Sequence, residues 1–254
     1  MNVLACIKRV PATGARIILT EDEQEIETRH LGFAISPHEE CAVEEAIQLV
    51  EKQGGQSVAL TLGPEAATEQ LYYALAQGID RAVLLETDGR EWGPMATAWA
   101  ISAAIRAESE AGLDFDVLLF GYDAADTGDC QVGVRVAYAF DLPCMTGIKG
   151  LEVKDGRAIA RRETAGGWEI YEVPLPAVFT VKEGINLPRY PSLPGRLKAK
   201  KKEIRRLRLA WSEEGLVKRR LKTPPEQEGG AEMLGKGPAA AAKVVELLKK
   251  IGVA

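Results

Sequence analysis

One stretch carries residue types and spacing suited to holding a ligand: Gly121–Gly133, GYDAADTGDCQVG. It follows the apolar run DVLLF at 116–120 and precedes a helix-forming segment. A turn from a buried strand into a helix leaves backbone N–H groups free, and those groups can meet a phosphate. Gly121 and Gly128 permit a tight backbone path, and Gly133 permits close helix packing. The run is neither G-x-G-x-x-G nor a Walker A loop, because no lysine follows the glycines and no spacing fits. Asp123, Asp126 and Asp129 would repel phosphate, so they are easier to place as helix caps or as acceptors for ribose hydroxyls. An ordinary capped strand-to-helix turn accounts for the same residues.

Little else points to catalysis. His30 and His38 are the only histidines, too few for a multi-histidine metal site and poor material for a triad. Cys6, Cys41, Cys130 and Cys144 are far apart, with no CxxC, which argues against a metal knuckle or a disulfide scaffold. Three of them sit in apolar surroundings and read as core thiols. Arg161-Arg162-Glu163, beside the Gly166-Gly167 turn, reads as a solvated hairpin edge.

A second stretch, Leu175–Lys202 (LPAVFTVKEGINLPRYPSLPGRLKAKKK), begins as a buried strand and then turns into a proline-spaced segment. Pro188, Pro191 and Pro194 fall every third residue, which predicts an extended, polyproline-like path without helix or ladder. Arg189, Tyr190 and Leu193 stand between them as large contact-making side chains. Such a loop suits a docking surface; a proline-rich linker explains it as well. Residues 196–208 hold eight Lys and Arg among 13, consistent with nucleic-acid binding, a solvated strand or a partner surface. A net charge of −5 and a single aromatic neighbour, Tyr190, rank nucleic acid last.

This second stretch resembles the signature of the electron transfer flavoprotein (ETF) β subunit, the smaller chain of an FAD-dependent electron carrier. Asn186, Pro188, Arg189, Tyr190, Leu193, Lys198, Ala199 and Lys200–Lys202 match its recognition loop and lysine cluster, spacing included. The similarity extends through VLACIKRV, SPHEECAVEEA, GYDAADTGDCQVG and RRETAGG, about the first four fifths of the chain. The resemblance implies an obligate heterodimer with an ETF α subunit that carries most of the FAD surface. It implies electrons arriving from acyl-CoA and similar flavin dehydrogenases and leaving to an ETF-quinone oxidoreductase. It implies a structural AMP, or a second FAD in the electron-bifurcating branch, lined by Cys6, Ser36, Pro37, His38, Glu39, Leu62, Gly121, Tyr122, Asp123, Ala124, Ala125, Asp126, Thr127, Gly128, Asp129, Cys130, Gln131 and Val132. Asp123 and Gly128 depart from the common family loop. The partner-binding residues would be Asn186, Pro188, Arg189, Tyr190, Leu193 and Lys198, with Leu193 as an apolar plug and Glu163 as an interdomain salt-bridge partner. A family tyrosine that shields the flavin ring is Thr13 here. Two readings from other classes compete: a stand-alone nucleotide-binding regulatory protein, and an adenylating enzyme, whose S-G-G-x-D-S loop is missing.

The elements that would position these residues follow from pattern. Val3–Val10, Ser57–Leu62, Arg81–Glu86 and Asp116–Phe120 are apolar runs that read as parallel strands. Between them, Ser36-Pro37-His38-Glu39 looks like a capping box opening a helix that Gly54-Gly55 stop. Further helices are expected with Leu71, Ala74 and Leu75 facing inward, over Met95–Ala107 and over Val132–Phe140. This β-α alternation predicts an α/β, doubly wound, mostly parallel Rossmann-like sheet, with ligands beyond the carboxyl ends of its strands. Arg16–Thr20 and Gln24–Thr28 suggest a small hairpin. Gly150–Lys154, Arg157–Arg162 and Trp168–Val173, joined in part by Asp155-Gly156, suggest an antiparallel extension. Residues 1–205 would form the nucleotide-binding domain and 206–254 an extended arm ending in an amphipathic helix over Pro238–Ile251. The 254-residue length suits one large domain with an appendage. No apolar run approaches the ~20 residues of a membrane span, and the expected compartment is the cytoplasm.

Overall fold

The computed structural model describes residues 1–12, 14, 16–210, 218–225 and 233–253. Strand β1 (Asn2–Ile7) runs through the middle of the sheet, and its apolar residues alternate between two cores. Val3, Ala5 and Ile7 face helices α1 (Pro37–Gln53) and α2 (Thr68–Gln77), while Leu4 and Cys6 face α3 (Pro94–Glu110) and α4 (Val132–Ala139). A strand buried on both faces must be apolar at every position, which is why these runs show no polar alternation.

β1 pairs in parallel with β4 (Gln56–Gly63) on one side and β6 (Val117–Gly121) on the other. β5 (Arg81–Glu86) lies outside β4, and β10 (Ala177–Val181) lies outside β6. Next come β7 (Cys144–Lys154), β8 (Arg157–Thr164) and β9 (Gly167–Pro174), with β7 parallel to β10 and the last two pairings antiparallel. On the far edge, β11 (Ile204–Arg208) pairs in parallel with β5. Among the described residues the order is β11-β5-β4-β1-β6-β10-β7-β8-β9. The chain builds outward from β1 through β4 to β5, then crosses to β6. The strand order therefore reverses between β1 and β6, and a crevice opens above their carboxyl ends. The doubly wound, mostly parallel sheet with an antiparallel wing agrees with the expected fold class.

Several local expectations are corrected. The polyproline path gives way to a helix, α5, at Leu193–Ala199. Pro194 lies in its first turn, where no N–H is needed, and Ser192 Oγ accepts the Gly195 N–H at 3.1 Å. The capping box is not formed as expected: Ser36 Oγ leaves the α1 terminus and donates to the Asp123 carbonyl at 3.5 Å. The 16–28 hairpin reduces to a single Leu19–Ile26 bridge. The Val3–Val10 run divides at Lys8, after which β2 (Arg9–Pro11) turns away to pair antiparallel with β3 (Phe33–Ile35).

The basic segment 196–208 divides between α5 and β11. In β11, Arg205 reaches Glu108 of α3, Arg206 pairs with Glu65, and Arg208 with Glu86. After β11, Lys218 pairs with Glu25 and Glu91, and the Leu221 N–H donates to Glu23. The expected terminal helix is α6 (Ala241–Lys250), preceded by a 3₁₀ turn. Val244, Val245 and Leu247 on it, and Ile251 just after it, are exposed. Among the described residues no helix is long and apolar enough to cross a membrane.

Candidate functional site

Three of the predicted segments meet in the crevice between β1 and β6, and the fourth, at Leu62, lies on the neighbouring strand β4. Gly121 ends β6, α1 begins at Pro37, Cys6 lies near the end of β1 and Leu62 near the end of β4. Gly121 cannot carry a side chain here, since a Cβ would stand 2.7 Å from Glu39 Cγ and 3.2 Å from the Asp123 carbonyl. Glu39 is buried beneath it, and one of its carboxyl oxygens accepts the Lys8 N–H at 2.8 Å. The loop itself is open: Tyr122, Ala124 and Val132 are half-buried, whereas Ala125, Thr127, Gly128, Asp129, Cys130 and Gln131 are exposed.

Two of the three aspartates that looked unsuited to a phosphate neighbourhood meet partners from elsewhere in the chain. Lys8 Nζ pairs with Asp126 at 2.7 Å, and His38 Nε2 faces Asp123 Oδ1 at 3.2 Å. Lys182 Nζ stands 4.5 Å from the centre of the Tyr122 ring. Lys8 carries no motif signal of its own, because its partner is more than a hundred residues away. The run of acids was legible, but the partners that meet it were not.

The Asn186–Lys198 segment is held from beneath and bare on top. Asn186 Nδ2 donates to the Cys41 carbonyl at 3.0 Å and to Glu45 at 2.9 Å. Arg189 forks onto Glu44 (2.9 Å) and Glu51 (2.7 Å) of α1, and Gln77 of α2 donates to its carbonyl. Burial alone would raise Glu44, but the Arg189 hydrogen bonds outweigh it and hold that carboxyl below its ordinary value. The Glu51 and Glu44 bonds in turn raise Arg189. Tyr190 is 90% exposed and Leu193 73%, and Leu197, one helical turn on from Leu193, is also exposed. Asn186 and Arg189 thus serve inside the chain as fasteners, and Tyr190 and Leu193 form the presented surface together with Leu187, exposed at 90%. Pro188 is half-exposed and Lys198 exposed.

The family model described as "Electron transfer flavoprotein domain" matches residues 25–211. The chain is 37% identical over 256 residues to the electron transfer flavoprotein subunit beta of Bacillus subtilis (strain 168), covering 98% of each. It is 34% identical to the Syntrophomonas wolfei protein of the same name, covering 98% of this chain and 96% of that one. The corresponding Thermoanaerobacterium thermosaccharolyticum protein is 35% identical over 208 residues, covering 81% of this chain and 77% of that one. The chain belongs to the electron transfer flavoprotein β-subunit family.

Within this ETF β chain, Glu163 sits on β8 of the antiparallel wing, where Lys149 holds it at 2.5 Å. That bridge is exposed, so it adds little to the stability of the wing. Thr13 lies outside the described residues. Of the cysteines, Cys6 and Cys41 are buried, Cys144 is half-buried and Cys130 is exposed.

Glu39 is strongly altered by the crevice. Burial raises its pKa from 4.5 to about 8, against the opposing pull of the Lys8 and Ser36 N–H groups and the Lys8 charge. A carboxyl with a raised folded-state pKa holds a proton that the unfolded chain has lost. Its contribution is fully present below about 4.5 and is lost as pH rises through about 8. The melting temperature of the ETF β chain should therefore fall between these limits. Glu39→Gln, which keeps an acceptor for Lys8, should flatten that fall; an unchanged pH profile would overturn the assignment.

Proposed function

We propose that this chain is the smaller half of a heterodimeric electron carrier of the cytoplasm, paired obligately with an ETF α subunit that holds most of the FAD. It braces that flavin, retains an AMP structurally, and offers the Asn186–Lys198 loop to acyl-CoA and related dehydrogenases. Electrons would leave to an ETF-quinone oxidoreductase. No reaction is assigned to this chain's own side chains. When bound, the flavin supplies reversible electron storage, and the protein sets its position and its access to partners.

The observation that carries this reading is the pairing of Asp123 and Asp126 by His38 and Lys8 above the β1 and β6 carboxyl ends. With Asp126 paired to a lysine and Asp123 bonded to an imidazole N–H, a nucleotide monophosphate fits the chemistry of the loop. Backbone N–H groups near the start of α1 and in the 121–132 turn would take the phosphate. Asp129, with no ion pair among the described residues, remains as an acceptor for ribose hydroxyls. Gly121 keeps the floor of the crevice clear, because any side chain there would strike Glu39.

The test is the flavin and nucleotide content of the purified heterodimer. One FAD and one AMP per heterodimer support a simple carrier, whereas two FAD and no AMP indicate the bifurcating form. A monomer with neither would overturn the proposal.

The arm 206–254, apart from the end of β11 with which it begins, is assigned to the α subunit. Among the described residues the apolar face of α6 and the residues after it have no cover, and burial is what such a face gains from a partner. Deleting residues 238–254 should weaken the heterodimer about tenfold, the equivalent of ~1.4 kcal/mol. An unchanged dissociation constant would remove the arm from the interface.

A further inference from the structure

One side chain touches both the nucleotide loop and the root of the docking loop. His38 Nδ1 accepts the Glu183 N–H at 2.8 Å, and Nε2 faces Asp123 at 3.2 Å. A neutral imidazole that accepts on Nδ1 carries its proton on Nε2, so the second contact is a hydrogen bond donated to the carboxylate. Asp123 belongs to the 121–132 loop, while Glu183 begins the segment that leads to Asn186. The two segments meet again where the Lys182 ammonium lies over the Tyr122 ring, 4.5 Å from its centre.

The helix that carries His38 continues the link. Its first turn faces the nucleotide loop. Further along, Glu45 holds Asn186, and Glu44 and Glu51 hold Arg189. Packed on the sheet through Ala42, Val43, Ala46 and Ile47, α1 is a fixed strut between the two segments.

We propose that His38 is a positioning residue that couples the two sites, so that filling the nucleotide site orders the docking loop. This rests on the nucleotide reading given above. A bound nucleotide restrains the open 121–132 turn and with it Asp123. Asp123 then fixes the His38 ring, and the ring fixes the Glu183 N–H. Linkage is reciprocal, so an ordered docking loop must also tighten nucleotide binding by the same factor. Coupling of this kind needs no large displacement, only a loss of motion at both ends.

The experiment is amide hydrogen exchange on the purified heterodimer, with and without saturating AMP. In the wild type, AMP should slow exchange across 121–132 and, by about tenfold, across 183–190, within the range usual for coupled sites. In His38→Ala, at an AMP concentration raised to saturate the variant, the slowing should persist at 121–132 and vanish at 183–190. The KM for a flavin dehydrogenase donor should rise in that variant and no longer respond to added AMP. Asp123→Ala breaks the same link from the loop side and serves if the first variant does not assemble. Equal slowing at 183–190 in the wild type and a variant would overturn the coupling, as would slowing confined to 121–132 in the wild type. An absence of AMP binding in the wild type would remove the nucleotide reading, and the coupling with it.

Discussion

Leu193→Ala should raise the KM for a flavin dehydrogenase donor about 30-fold while leaving flavin content unchanged. The side chain is 73% exposed on the first turn of α5, and α5 is braced from beneath by the Ser192 cap and, through the preceding loop, by the Arg189 fork onto Glu44 and Glu51. An apolar side chain presented on a rigid support loses little entropy on docking, which is what allows a few residues to dominate an interface. Truncating such an anchor costs about 2 kcal/mol or more, and that converts to roughly a 30-fold change. Stopped-flow reduction of the carrier by a dehydrogenase measures it. Unchanged saturation behaviour would remove Leu193 from the interface, and a parallel loss of flavin would indicate a structural role.

Glu108→Ala should lower stability by about 2–3 kcal/mol. Glu108 is 2% exposed near the carboxyl end of α3, where a carboxylate opposes the helix dipole. It is tolerated because Arg81 of β5 reaches one oxygen at 3.2 Å and Arg205 of β11 the other at 2.6 Å. Removing the acid leaves two guanidinium groups together at the β5–β11 edge. Breaking a fully buried pair costs about 3–5 kcal/mol, but both arginines are more than a third exposed and can recover water, which lowers the figure. For a chain of this size the shift in melting temperature is roughly 5–10 °C. Glu108→Gln should fall between the two, and a melting temperature unmoved in Glu108→Ala would show that β11 is held by its backbone ladder alone.

The parts of the fold legible in the sequence are those where one local rule dominates. β1, β4, β5 and β6 are short unbroken apolar runs, and α1 to α3 begin or end at proline or glycine. Elsewhere two rules competed. IRRLR looks like solvated chain until Glu65, Glu86 and Glu108 supply the countercharges that make it an edge strand. Three evenly spaced prolines argue against helix, yet Pro194 occupies a first-turn position that proline tolerates. β7 was seen only in its second half, because Gly147 at φ 67° and a register shift interrupt the alternation before Gly150.

The candidate site divides along the same line. Its glycines and helix start could be read locally, while the Lys8–Asp126 and His38–Asp123 pairs and the Arg189 fork join residues more than 80 positions apart. The fork changes what Arg189 contributes: in the chain alone it restrains the loop, leaving Tyr190 and Leu193 to be met by a visitor.

The late position of two strands in the chain bears on how the polypeptide matures on the ribosome. β10 lies between β6 and β7, and β11 closes the flank of β5, so a nascent chain lacking residues 177–208 leaves β6 with one neighbour and β5 with an open edge. Unpaired edges invite pairing with other chains. Those edges stay unpaired during synthesis until Arg208 has emerged from the exit tunnel, and a stop codon before that point should yield insoluble product rather than a trimmed domain.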